Sequence, residues 1–157
     1  MDDGRNAFDF WMGSWKVHNR CLRERLKGSD DWVEFEATVT ARPLAGVLGN
    51  EDEFRTDHDG GFIGMTFRFY DPATDRWAIY WASTRRPTLE LDPPVIGSFS
   101  GDVGTFECDD THEGRPVRVR YRWTKVDTTT PHWEQAFSED GGKTWETNWT
   151  AEFTRAA

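Results

Sequence analysis

Four histidines, His18, His58, His112 and His132, are the residues best suited to hold a metal or move a proton near neutral pH. His58 and His112 fall in Asp/Gly-rich turns, where a solvated imidazole is the ordinary outcome. His18 alternates with Trp15 and Val17, so it points outward if they point in. His132, beside Trp133 at a strand start, is the candidate haem or metal ligand, although alternation sets it opposite Trp133 and Phe137. Glu51 and Glu53 share one side of a strand and, with Tyr121, are the candidate catalytic groups. Acid–base work requires one such carboxylate to be buried so that its pKa rises, whereas a run such as Glu51-Asp52-Glu53 near a turn ordinarily stays solvated. Arg118, Arg120 and Arg122 form a stripe that could grip a carboxylate or phosphate. The competing reading is an outer face paired with Glu134, Glu146 or Glu152, and it is favoured because Val119, Tyr121 and Trp123 claim the inner face. Cys21 and Cys108 have no second Cys or His at zinc-ligand spacing, and Cys21 reads as a small apolar filler. The sequence contains no Gly-x-Ser-x-Gly elbow and no Walker loop. Neither a metal nor a cofactor is expected.

These residues sit on segments with a two-residue period. Val33, Phe35, Ala37, Val39 and Ala41 alternate with polar neighbours; Ile63, Met65, Phe67 and Phe69 share a face; so do Trp77, Ile79 and Trp81. Val117, Val119, Tyr121 and Trp123 oppose the arginine stripe, and Trp133, Gln135, Phe137 and then Trp145, Thr147, Trp149, Ala151, Phe153 close the chain. Turn clusters such as Asp57-His58-Asp59-Gly60-Gly61 and Glu139-Asp140-Gly141-Gly142 punctuate the runs, as in an antiparallel meander. Only residues 4 to 12 suit a helical turn, and a short one.

A chain of 157 residues favours one domain, 1–157, with no linker or long-period repeat. Aromatic residues make up 15%, including nine Trp and eleven Phe, which argues against disorder. Nineteen Lys and Arg against 28 Asp and Glu leave a net charge of −9, a poor match for phosphate backbones or anionic membranes. No run approaches the ~18 apolar residues of a membrane span. The N-terminus lacks the pattern of a signal peptide. The expectation is a soluble, cytoplasmic protein with reduced thiols and no nucleic-acid or membrane partner; a homodimer is compatible with it. Edge strands must be hidden by closure or by stacking two sheets. Polar residues among the inward aromatics, Asn19, Ser83, Gln135 and Thr147, favour a closed up-and-down barrel with a ligand-sized interior.

Gly13-Ser14-Trp15 at the start of the first strand resembles the Gly-x-Trp signature of lipocalin-like (calycin) barrels. Preceded by Phe8-Asp9-Phe10-Trp11, it resembles more closely the bacterial domain of unknown function 1579 family. Gly46 to Glu53, Tyr70-Asp71 with Trp77 and Trp81, and Ser138 to Trp145 extend the resemblance over nearly the whole chain. It departs at Ala82-Ser83-Thr84-Arg85-Arg86-Pro87, where the family usually has a glycine-bearing turn. The resemblance implies a barrel with an interior pocket and no established reaction. It also implies a structural floor in which Trp15, preceded by Gly13, is covered by Arg155. Related nitrobindin barrels hold haem through one late histidine, the role His132 would take. Ser138 to Trp145 also fits the Asp-box of sialidase propellers, but one copy in so short a chain reads as a hairpin.

The expected function is binding of a small hydrophobic or aromatic ligand inside the barrel. Phe35, Phe67, Trp77, Trp81, Tyr121, Trp123, Trp133, Phe137 and Trp149 are the candidate walls, and Gln135 and Thr147 are candidate polar contacts. The rival readings are an isomerase, cyclase or hydratase in the same cavity, and haem binding through His132. An assembly subunit would need an exposed apolar patch, which no outward face suggests.

Overall fold

The computed structural model describes residues 3–156. Ten antiparallel strands form one closed barrel: β1 Gly13–Leu22, β2 Trp32–Pro43, β3 Gly49–Thr56, β4 Phe62–Asp71, β5 Arg76–Ser83, β6 Val95–Ser100, β7 Val103–His112, β8 Arg115–Thr124, β9 His132–Ser138 and β10 Glu146–Arg155. Every strand pairs with its neighbours in sequence, and β1 closes on β10 through Trp15↔Arg155 to Cys21↔Trp149. Closure leaves no edge strand for another chain to extend. The fold is all-β and up-and-down, with single 3₁₀ turns at Gly4–Asn6, Asp9–Trp11 and His58–Gly60. Among the described residues, no helix is long and apolar enough to cross a membrane.

The two N-terminal turns plug one end. Trp11 stacks on Trp15 with ring centroids 5.2 Å apart and meets Trp123 and Phe153 edge-on at 4.9 and 4.6 Å. Each such pair adds roughly 0.5–1.5 kcal/mol beyond area burial. Gly13 has φ +112°, and a Cβ there would meet Arg155 Nη1 at 2.7 Å. The glycine therefore lets the guanidinium lie 3.8 Å over the Trp15 ring, where Arg155 also donates to the Phe10 and Met12 carbonyls.

Two faces differ from the sequence reading. In β4 the buried series is Phe62, Gly64, Thr66, Arg68 and Tyr70, so Phe67 stands outside with Met65 and Phe69. The reason is space: a Cβ on Gly64 would lie 2.0 Å from the Trp81 ring, so only this register lets Trp81 fill the barrel. As a result Phe69 is exposed and packs edge-on against Tyr80 with centroids 6.2 Å apart, and the exposed Ile96 of β6 lies in line with it through Phe69↔Ala78 and Ala78↔Ile96. An outward apolar strip exists after all. In β10 the register shifts between Thr147 and Trp149. Thr147 pairs with Ala136 on the outer register, while Trp149 pairs with Gln135 on the inner one. A bulge of one residue resets alternation, which a strict two-residue period cannot show.

The weakest seam is β5·β6, held by three pairs from Trp77↔Gly97 to Ile79↔Val95. The β5–β6 loop, residues 84–94, runs beside this gap.

Candidate functional site

The end opposite the plug leads to two adjoining chambers. The inner one, about 90 Å³, is walled by Trp81, Tyr121, Trp123, Trp133, Trp149 and Phe54. The outer one, about 430 Å³, shares Ile79, Trp81, Tyr121, Gln135 and Trp149 with it and opens past Arg25, Arg85 and Phe137. Trp149 is the pivot of the wall, with Trp81, Trp133 and Phe54 all edge-on to it at 6.1, 5.6 and 6.1 Å.

Alternation delivers the polar groups as well. Asn19, the third inward residue of β1 after Trp15 and Val17, accepts from Trp149 Nε1 at 3.1 Å and donates to the Phe35 carbonyl at 3.3 Å. Gln135 Nε2 donates to Asn148 Oδ1 at 2.8 Å. Asn148 is the residue the β10 bulge turns in where Thr147 was expected. At the chamber floor, Arg68 and Asp52 form an ion pair of 2.8 Å between side chains 5% and 4% exposed. Trp11 Nε1 donates to Asp52 at 3.0 Å, and Arg68 Nη1 donates to Asn50 Oδ1 at 3.0 Å. Arg68 Nε is buried without a partner.

The sequence candidates divide as follows. Trp81, Tyr121, Trp123, Trp133, Gln135 and Trp149 line the inner chamber, and Phe137 lines the outer one. Phe35 and Trp77 are buried but lie elsewhere: Phe35 stacks on His58 at 4.1 Å, and Trp77 joins the plug by donating to the Gly4 carbonyl at 2.9 Å. Phe67 and Thr147 face out, for the reasons given above.

Glu51 and Glu53 also face out, paired with Arg42 and Arg55. The carboxylate that points inward is Asp52, between them. The signal was the alternation Asn50, Asp52, Phe54, opposite Thr66 in the pairing Asp52↔Thr66; it was masked because β4 was read with its other face inward.

Burial pushes the Tyr121 hydroxyl above the ordinary phenol range. The hydroxyl has no hydrogen-bond partner among the described residues, which makes it a donor toward the chamber rather than a base.

His132 lies on the outer wall, its Nε2 3.8 Å from Glu134, and does not line either chamber. A haem inside the barrel would not reach it. His112 differs from the turn reading: it ends β7 and lines the outer chamber, its ring 5.4 Å from that of Phe137. His58 is likewise not free in solvent but stacked on Phe35. Arg118 bridges Glu107 and Asp109 at 2.9 and 3.0 Å, and Arg120 lies 4.3 Å over Trp145, both on the outer face. In the Ser138–Trp145 hairpin, Asp140 accepts from the Thr144 hydroxyl at 2.6 Å, the Thr144 amide at 2.9 Å, the Ser138 hydroxyl at 2.8 Å and the Lys143 amide at 3.0 Å. These bonds, the Thr144 hydroxyl foremost, hold its carboxyl well below the usual range.

No protein-family model matches the chain, and no curated protein matches it in sequence. Among solved structures it is similar to the S-type phycobiliprotein lyase CPES from Guillardia theta, with a TM-score of 0.61. The match covers 99% of this chain and 94% of that one at 10% identity. The fold is a lipocalin-like barrel. At that identity the likeness concerns the backbone path. The chemistry of this lipocalin-like barrel must be argued from its own side chains.

Proposed function

We propose that the barrel binds one small hydrophobic or aromatic molecule, with its body among the rings of the inner chamber and its end toward the mouth. The observation that supports this most is the void itself. Protein interiors close-pack, and each cavity costs stability, so a hollow retained among this many large rings needs a reason. The outer chamber, about 430 Å³, is within the ~300–1,000 Å³ typical of small-molecule sites. Tyr121, Thr66 and the Gln135 carbonyl supply unpartnered polar atoms to orient a flat guest.

An enzyme of isomerase, cyclase or hydratase type in the same chamber is the second reading. Tyr121 favours it, as a buried proton donor placed where the two chambers meet. Its role would then be that of an acid, with Asp52 already engaged by Arg68 and Trp11. We also propose membership of the domain of unknown function 1579 family, and with it a bacterial origin, on the motifs at residues 8–15 and 138–145.

Titrating intrinsic tryptophan fluorescence with fatty acids, flavonoids, polyketides and haem tests the proposal. A saturable change with at least one class is expected, weakened in Tyr121→Phe. Flat titrations throughout, together with protein from its own host carrying no bound small molecule in native mass spectrometry, would overturn it.

A further inference from the structure

Two guanidiniums at the mouth of the outer chamber have no counter-ion. Arg25, in the β1–β2 loop, is half-buried with its guanidinium 5.4 Å from the Phe137 ring. Arg85, in the β5–β6 loop, lies 3.9 Å over Phe62. Neither makes an ion pair or a side-chain hydrogen bond among the described residues, and both line the outer chamber. Arg85 is exposed, so the cost of leaving water without a partner falls on Arg25, where an aromatic face offsets only part of it.

Among the described residues, no neighbouring carboxylate lies in ion-pair contact with either guanidinium. Asp92 is held by Arg86, Asp110 accepts from the Thr111 amide at 2.8 Å, and Glu146 accepts from the Leu26 amide at 2.7 Å. Glu90, the remaining acid at the rim, is exposed. Burial draws the Arg25 pKa down and the nearby Arg85 charge adds to the effect, while Cys21 and Glu146 oppose it. A chain of net charge −9 thus keeps two cations without an ion-pair partner among the described residues at the mouth of its aromatic hollow.

We propose that the ligand is an amphipathic organic acid whose carboxylate sits between Arg25 and Arg85 while its apolar body enters past Trp81 and Trp149. This rests on the barrel being a ligand site and adds the chemical class of the guest. An anion that enters body-first satisfies both guanidiniums and leaves the Arg68–Asp52 pair at the floor undisturbed.

The test compares 1-pyrenebutyric acid with its methyl ester near neutral pH, read by energy transfer from tryptophan to pyrene. Charge-assisted hydrogen bonds predict that the acid binds about tenfold or more tighter than the ester. Arg25→Gln and Arg85→Gln should each move that ratio toward one, while Arg76→Gln, on the outer wall, should leave it at the wild-type value. Melting curves check that each variant folds, and Arg85→Gln carries the test alone if Arg25→Gln does not. Equal or tighter ester binding, or a ratio that neither substitution moves, would overturn the acid proposal and leave the cavity reading intact. Failure of both probes to bind would count against both.

Discussion

Asp52 and Arg68 meet at 2.8 Å inside an aromatic barrel, with 4% and 5% of their side chains exposed. The pair is also the point at which plug and wall are joined, since Trp11 donates to Asp52 and the Arg68 guanidinium lies 5.1 Å from the Phe8 ring. Removing one member leaves a buried charge uncompensated, whereas replacing both with apolar residues removes the desolvation cost as well. Asp52→Asn should therefore destabilise by about 3–5 kcal/mol in urea unfolding, and the double change Asp52→Leu with Arg68→Met should recover most of that loss. A single variant within about 1 kcal/mol of the parent would show that the pair does not join plug to wall.

Gly64 is required by the ring that occupies its Cβ position. Gly64→Val should displace Trp81, cost about 1–3 kcal/mol through overpacking and weaken binding of any ligand that uses the shared wall. Thermal unfolding and fluorescence titration on the same sample would check both effects. An unchanged Trp81 environment would contradict the register assigned to β4.

Arg155 covers Trp15 and ties the Phe10 and Met12 carbonyls to the end of β10. Arg155→Met keeps much of the packing but loses the charge and both donors, and a loss of about 1–3 kcal/mol is expected. Arg155→Lys should retain only part of it, because an ammonium cannot present two donors in a fixed fork. Hydrogen exchange should speed up first in residues 8–12. Uniform exchange changes across the barrel would argue against a local floor role.

His18 sits between Glu36 and Glu34 on the outer wall, its Nε2 3.0 Å from Glu34, and the bonds to Glu36 and then Glu34 raise its pKa above 6.5. A group whose pKa is higher in the folded state stabilises fully below the unfolded value and loses that contribution as pH rises through the folded one. The stability difference between wild type and His18→Gln should thus be largest in mild acid and shrink toward alkaline pH. An NMR titration placing the His18 imidazole at or below 6.5 would refute this.

Much of the candidate site was legible because strands write their period openly. Tyr121, Trp123, Trp133, Gln135 and Trp149 alternate with neighbours that are mostly charged or polar, Arg120, Arg122, Glu134 and Thr150 among them, and all five line the inner chamber. Asp52 and Arg68 were harder to see. In β4 both faces are credible: Ile63, Met65, Phe67 and Phe69 on one, Phe62, Thr66, Arg68 and Tyr70 on the other. The more apolar face is the one left outside.

The Gly13–Trp15–Arg155 floor was implied by the resemblance to lipocalin-like barrels, whereas alternation itself disclosed the all-β class, the rough course of most strands and the aromatic character of the interior. A two-residue period carries that information without reference to anything distant in the chain. Which face of β4 and which half of β10 point inward was decided only by tertiary contacts. Shifting a strand by one residue exchanges its faces without altering its pattern, so the choice falls to whatever must fit across the barrel. Here that was the Trp81 ring over Gly64, the Asp52 carboxylate against Arg68, and the single extra residue that turned Asn148 toward Gln135.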